Sequence, residues 1–551
     1  MTHSLLGHIV EGSLQRGLTM RLGEERGVEE IRAGRFVVID GNERQFFAMI
    51  TDVSLLSSSQ SAVIDLAGST GVAGGALMQK MLSGAVTYAN VSLRTQLMRG
   101  RTLNSSFEPV KSIPSHFSPV ADADASDISA IFGSEEPGNG FFHIGSPLDM
   151  DEIDLCLDLK KFAERSNGIF GKSGTGKSFL TRIVLCGLIK QDAAVNLVFD
   201  MHNEYGWMGT TEDSNRQGVR GLKQYFGNKV AVYSLDRQST QRRGCPVENE
   251  VKISYEEITA EDILLLGNEL DLNTTAAETV HLLDQKFGRQ WLSGLLDLST
   301  SEAVKDFCDT SGAHAGSVSA LRRKLSRFAG ECSGFLVKSQ SQAGDGAKQI
   351  IGDLLKGKNI VLEFGQFRKP IQYMLVANIL TREIHKEWTK RTEEALGSKG
   401  SEPRPLVITI EEAHKFLSPQ LANQTIFGTI AREMRKYNVT LLVVDQRPSG
   451  IDDEVLSQIG TRITCLLNDE RDIDAVLRGI SGAADLRTVL ATLDSKQQAL
   501  LLGHAVPMPV VIKTREYDTE EFRRSMGSFK IASEMDENEL NEHGKEIEAT
   551  W

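Results

Sequence analysis

The chain has 551 residues, 40% of them hydrophobic and 25% charged. That balance belongs to an ordinary soluble globular protein and excludes collagen-like, mucin-like and wholly disordered classes, while the length suggests about three or four domain-sized units. The 61 Lys and Arg stand against 74 Asp and Glu, a formal net charge of −13; this excludes a uniformly basic nucleic-acid binder but leaves room for a local basic channel, because counterion release depends on local phosphate contacts.

In chain order, residues 1 to about 103 read as β. Gly7–Gly12, Arg35–Ile39 and Phe46–Ile50 are short β-branched or aromatic runs, punctuated by Gly34, Gly41 and Asn42. Short strands at this spacing predict a small barrel. From about 104 to 140 the composition turns to Ser, Pro, Asp and Gly, which predicts a linker or crossover. From 141 to 515 strands alternate with helices, the pattern of an α/β parallel sheet: strands at Asn167–Phe170, Ala194–Phe199, Asn359–Phe364, Leu406–Ile410 and Val439–Val444, and a helix from Ser178 to Lys190. Residues about 210–345 break that rhythm with helical stretches (Ala260–Leu270, Ala276–Phe287, Val318–Phe328) and read as a helical insertion. Residues 516–551 form a C-terminal arm with an acidic tail; from Ile531 on it holds seven Asp/Glu against one Lys.

The six cysteines (Cys156, Cys186, Cys245, Cys308, Cys332, Cys465) are never closer than 24 residues. No CxxC metal or redox pair and no disulfide framework is expected. The start, Met1-Thr2-His3-Ser4, lacks the basic-then-apolar pattern of a signal peptide. Apolar runs such as Leu441–Val444 fall far below the roughly 20 residues of a membrane helix. A soluble, cytoplasmic protein without membrane contact is expected.

The strongest chemical signal is Gly171-Lys172-Ser173-Gly174-Thr175-Gly176-Lys177-Ser178, a complete P-loop between an apolar strand and a helix. Its glycines let successive backbone N–H groups turn inward around phosphate oxygens, and the helix N-terminus adds partial positive charge. Lys177 is expected to reach the β- and γ-phosphates, and the Ser178 hydroxyl to sit on Mg²⁺. Phe179, the next residue, is counted with the nucleotide-binding segment. A second acidic site is needed for metal and water. Leu406–Ile410 ends in Glu411-Glu412-Ala413-His414, and carboxylates at that end of a sheet strand face the ligand crevice. Glu411 is assigned to the Mg²⁺ shell and Glu412 to polarising the attacking water.

Arg432 and Arg435, three residues apart, share a helix face, and Arg165 lies twelve residues before Lys177. Each is a candidate for stabilising γ-phosphate charge, with surface ion pairing as the alternative. Gln446 follows the strand Val439–Val444 and is a candidate γ-phosphate sensor. Asp200, His202 and Glu204 follow the second core strand without metal-ligand spacing.

These pieces in this order resemble the HerA branch of the HerA–FtsK group of ring-forming P-loop ATPases, over most of the chain. The matching segments are Leu6–Ser13, Met49–Val53, Glu164–Phe170 with the P-loop, Phe199–Tyr205, Glu411–His414, Arg432–Tyr437, Gln446–Ser449 and Ala499–Lys513. The resemblance implies a RecA-like P-loop ATPase core with an N-terminal small β-barrel and a helical insertion. It implies a homohexamer that hydrolyses ATP at subunit interfaces and threads double-stranded DNA. It further implies a partner nuclease or a defence effector docked on the barrel face. By motif match, Arg165 and either Arg432 or Arg435 become interface arginine candidates and Gln446 a γ-phosphate contact. Two positions depart from the pattern: Glu411 stands where related ATPases more often carry Asp, and Met434 where small residues are common. Basic groups that such a channel would repeat sixfold are Arg322-Arg323-Lys324 with Arg327, Arg216 with Arg220, Lys223 and Lys229, and Arg242-Arg243. The competing reading is an ATP-dependent scaffold that organises a partner effector with little motor action.

Overall fold

The computed structural model describes residues 4–23, 26–57, 87–101, 105–210, 218–344, 346–397, 400–422, 425–480 and 482–527. The acidic tail and Arg216 lie outside them. The chain divides into two compact units: Met1–Leu180 with Asp445–Ser449 and Leu456–Glu516, and Thr181–Val444 with Gly450–Val455 and Tyr517–Trp551. Among the described residues no helix is long and apolar enough to cross a membrane.

The first unit opens with strands β1 (Leu5–Ser13), β2 (Gly17–Leu22), β3 (Phe36–Asp40), β4 (Arg44–Ser57), β5 (Thr87–Gly100), β6 (Glu108–Pro109) and β7 (Pro119–Asp122). They pair in the order β2-β1-β7-β3-β4-β5, and β5 returns to β2, so six strands close a barrel while β6 adds to the side of β5. Closure leaves few unpaired edge groups. The period-two alternation of strand side chains explains the core. Val37 and Ile39 of β3 point into a cluster with Ile9, Met20, Ile50, Val91 and Leu93. The alternate residue Phe36 packs instead on Phe47 (6.3 Å between ring centroids) and Phe132 (6.2 Å).

Phe132 ends the helix Ala125–Phe132, which starts from a capping box between Asp124 and Asp127. The barrel thus takes its sixth strand, β7, from the Ser/Pro-rich stretch that reads as linker. Four residues, the first of them a proline, give too short a pattern to register as a strand.

The barrel meets the rest of this unit closely. Gly34 has φ +93°, and a Cβ there would lie 2.8 Å from Val511 Cγ2. Arg94 of β5 pairs with Asp485 at 3.4 Å. The unit's other sheet runs Asn167–Phe170, Thr461–Thr464, Gln498–Gly503, Val510–Thr514, Phe141–Pro147, Leu155–Asp158. Its first pair is parallel and the others antiparallel.

In the second unit the strands run Asn249–Glu250, Val230–Ser234, Asn359–Glu363, Val195–Asp200, Leu406–Glu411, Val439–Asp445, all parallel. They are near-continuous apolar runs, as expected of strands covered on both faces. Val230–Ser234 lies inside the stretch that reads as helical insertion, yet it is a fully buried member of this sheet. A five-residue apolar run carries no period that separates strand from helix. The insertion's helices include Ala260–Leu265, Thr274–Phe287, Trp291–Asp297, Ser301–Ser311 and Ala315–Glu331. They connect to the 27-residue helix Pro370–Leu396 through buried Asp262, which accepts from Asn378 Nδ2 at 2.7 Å and pairs with Arg382.

Candidate functional site

In the first unit, all four residues of the strand Asn167–Phe170 are buried. The loop that follows is anchored from below: Gly171 N donates to Asp445 O (3.3 Å) and Lys172 N to Leu466 O (3.0 Å). A Cβ on Gly171 would lie 2.8 Å from both Cys465 Cβ and Thr175 Oγ1. Gly174 and Gly176 take φ +78° and +92°, conformations that L side chains rarely adopt. Thr175 Oγ1 donates to Lys172 O at 2.8 Å, and Lys177 Nζ to the same carbonyl at 2.7 Å. Lys172, Ser173 and Gly174 are exposed, whereas Lys177, Ser178 and Phe179 are half-buried at the start of the helix Lys177–Lys190. The arrangement is a backbone nest at a helix N-terminus with a lysine across it, which suits a polyphosphate anion. Burial pushes the Cys465 thiol beneath the loop up to about 11.

Arg165 packs on Gly460, where a Cβ would lie 2.6 Å from the Arg165 Cβ, and its buried Nε donates to no described residue. Glu164 beside it meets His504 Nε2 at 2.8 Å. Gln446 is exposed, just past buried Asp445, whose carboxylate accepts from Arg447 N at 2.7 Å.

In the second unit, three neighbouring parallel strands each end in a buried carboxylate: Asp200, Glu363 and Glu411. Asp200 accepts from the N–H of Glu204 and of Tyr205, both at 2.8 Å. Glu363 accepts from Thr240 Oγ1 (2.9 Å) and Arg243 (2.6 Å). Glu411 Oε1 accepts from the Tyr205 hydroxyl at 2.8 Å. Its Oε2 is buried and accepts from no described residue. Burial, with Asp200 nearby, pushes the Glu411 carboxyl up to about 8. Burial raises Asp200, against the pull of the N–H groups of Glu204, Tyr205 and Gly206, and burial with Asp200 raises Glu363. Burial and Glu411 push the Tyr205 hydroxyl well above the ordinary range, which keeps it a donor. An orphaned, buried carboxylate oxygen at a strand end is the kind of acceptor a hard cation shell draws on.

Glu412 differs from its neighbour. Its side chain is 27% exposed, 3.8 Å from His414 Nε2, and its backbone φ is +51°. Such a conformation at a non-glycine residue is uncommon and stores strain. Arg432, at the end of the helix Ile426–Glu433, donates to Ala422 O at 3.0 Å and lies 3.8 Å from Glu454 Oε2. Arg435 falls in the 3₁₀ turn Met434–Tyr437, so the two arginines do not continue one α-helix; its side chain lies outside the described residues. Several basic groups are committed internally: Lys324 to Asp271, Arg327 to Glu331, Lys223 to Glu248 and Arg243 to Glu363.

The structure therefore groups the P-loop, Arg165 and Gln446 in one unit, and Glu411, Glu412 and Arg432 in the other. Sequence reasoning missed Glu363, Tyr205, Tyr373 and Arg182. Glu363 carried a usable signal, an acid closing an apolar strand as Glu411 does. Tyr373, whose hydroxyl accepts from Glu411 N at 3.3 Å, gave none, because its partner is distant in the chain.

Residues 142–384 match the family described as Helicase HerA, central domain. The DNA double-strand break repair helicase HerA of Pyrococcus furiosus is 25% identical over 426 residues, covering 72% of this chain and 73% of that protein. The protein of the same name from Sulfolobus acidocaldarius is 23% identical over 515 residues, covering 90% and 93%. Among solved structures, VirB4 of Thermoanaerobacter pseudethanolicus is similar with a TM-score of 0.42 and 13% identity, over 71% of this chain and 100% of that one.

Proposed function

We propose that this chain, which is a HerA-type P-loop ATPase, is an ATP-driven DNA-repair motor that works as a homohexameric ring translocating double-stranded DNA in the cytoplasm. The observation that carries the reading is the P-loop nest with Lys177 across it, set in a chain similar to double-strand break repair helicases along most of its length. A partner nuclease or a defence effector would dock on the barrel, in end processing or in anti-phage defence.

In this reading the N–H groups of Gly171–Ser178 bind the phosphates, and Lys177 leaves the Lys172 carbonyl for the β- and γ-oxygens. Bound Mg²⁺ would neutralise phosphate charge, held by Ser178 and, through water, by Glu411. Glu412, more exposed than Glu411, accepts the proton of the attacking water. Adjacent carboxylates in unlike environments divide such roles. Arg165 and either Arg432 or Arg435 offset γ-phosphate charge from a neighbouring subunit, and Gln446 contacts that phosphate.

The test is hydrolysis by the purified chain with and without duplex DNA. Stimulation by DNA and a six-subunit particle are expected. A protein that hydrolyses ATP at one rate regardless of DNA, and does not bind it, sinks the motor reading. Glu412→Gln should bind ATP and not turn it over; unchanged turnover would remove Glu412 from its role.

A second reading, the ATP-dependent scaffold, draws on the barrel. β4 and β5 pair out to Ser57 and Thr87, and Leu55 is 76% exposed there. Leu55→Asp should then abolish partner association while ATP hydrolysis persists.

A further inference from the structure

Arg182 lies five residues past Lys177 on the helix Lys177–Lys190, and no role above uses it. Its side chain is 1% exposed. A guanidinium so deeply buried is costly unless its surroundings compensate it. Nη2 donates to Glu204 O at 2.8 Å and lies 3.8 Å from Glu204 Oε2. The guanidinium carbon is 5.7 Å from the ring centroids of both Tyr205 and Tyr517, within cation–π range. Asp200 in turn accepts from the N–H groups of Glu204 and Tyr205. The backbone leading into Tyr205 is thus held through its carbonyl by Arg182 and through its amides by Asp200. The Tyr205 hydroxyl ends on Glu411 Oε1.

Tyr517 is itself anchored. Its hydroxyl donates to Arg220 O at 2.7 Å. The next residue, Asp518, accepts from Arg220 N (3.0 Å), Arg523 Nε (2.8 Å) and the Tyr225 hydroxyl (2.5 Å). The ring packs on Tyr225 and Phe522.

We infer that Arg182, braced by Tyr517 of the C-terminal segment, is a positioning residue for Glu411. It fixes the Tyr205 hydroxyl, which holds Oε1 and leaves Oε2 for the role proposed for Glu411. The inference rests on the proposed role of Glu411. Packing alone predicts something different: methionine fills similar space, so its substitution would lower stability and leave turnover per folded molecule intact.

The experiment measures kcat and KM for ATP on the full chain with Arg182→Met, Tyr205→Phe, their combination, Tyr517→Leu with and without Tyr205→Phe, and Glu411→Gln. Loss of one positioning hydrogen bond corresponds to roughly 5–10-fold in rate. Tyr205→Phe and Arg182→Met should each lower kcat by about that factor, with KM within about twofold. Arg182→Met should add less than about twofold in the Tyr205→Phe background, because both act through one hydroxyl. Unchanged kcat in folded Arg182→Met, losses that multiply, or a change confined to KM overturns the inference. Should Arg182→Met fail to fold, Tyr517→Leu decides: a loss of about threefold that vanishes in Tyr205→Phe supports it, and no loss or an equal loss in both backgrounds overturns it. Glu411→Gln separates the two claims. Full activity there removes the role of Glu411 and the inference with it, whereas an inactive Glu411→Gln beside fully active Arg182 and Tyr517 variants removes the inference alone.

Discussion

Burial, with Asp200 nearby, lifts the Glu411 carboxyl to about 8 from an ordinary 4.5, so the folded chain holds a proton there that the unfolded chain has released at neutral pH. A raised carboxylic pKa contributes stability that is present below about 4.5 and lost as pH climbs through about 8. Glu411→Gln removes that titration. The melting temperature of the nucleotide-free variant should therefore fall less steeply than the wild type's between pH 5 and 8, and the difference should be on the order of a few kcal/mol at the alkaline end. Melting curves across that range check it, and parallel slopes would contradict it. Gly176 makes a separate point. A Cβ there meets nothing within 4 Å, yet φ is +92°. Gly176→Ala should cost about 1–2 kcal/mol through the backbone alone, and the cost should fall on the loop. ATP affinity measured by titration should drop more than overall stability measured by denaturant.

Among the elements, the join between the insertion and the helix Pro370–Leu396 concentrates charge in a buried place. Asp262 pairs with Arg382 and accepts from Asn378. Asp262→Ala would leave Arg382 partly buried with only Glu383, 3.5 Å from its Nε, as a carboxylate partner, at up to about 3–5 kcal/mol. The double variant Asp262→Ala with Arg382→Met should recover part of the loss, and urea unfolding midpoints give the comparison. The elements also differ in how plainly the sequence announces them. Asn167–Phe170, Leu406–Glu411 and the helix Lys177–Lys190 carry local signals, since glycine loops and acids mark their ends. Val230–Ser234 and β7 carry none, because a strand of four or five residues is defined by its neighbours in the sheet.

For the whole molecule, the net charge of −13 divides unevenly: the last 21 residues hold seven acids and one lysine, a sum of −6, leaving −7 for the other 530. If DNA is bound through local phosphate contacts, a chain ending at Lys530 should show the same salt dependence of DNA affinity as the full chain. The slope of log Kd against log salt should agree within about one unit, because it counts displaced counterions and not global charge. Binding titrations at several salt concentrations test this. At this scale the site was only half legible. The phosphate loop is contiguous and reads directly. The Tyr205–Glu411 bond joins residues 206 apart in sequence, and nothing in either segment names the other.

The barrel's strand order bears on how the chain is made. Every strand of the barrel ends by Asp122, so its closing pairs are available early during synthesis, before the phosphate loop exists. The strand Asn167–Phe170, by contrast, awaits Thr461–Thr464, and the register pair Asn167↔Thr461 spans 294 residues. A ribosome-bound chain therefore has every barrel strand in hand while the apolar strand still waits for this neighbour, the interval in which a holding chaperone has most to cover.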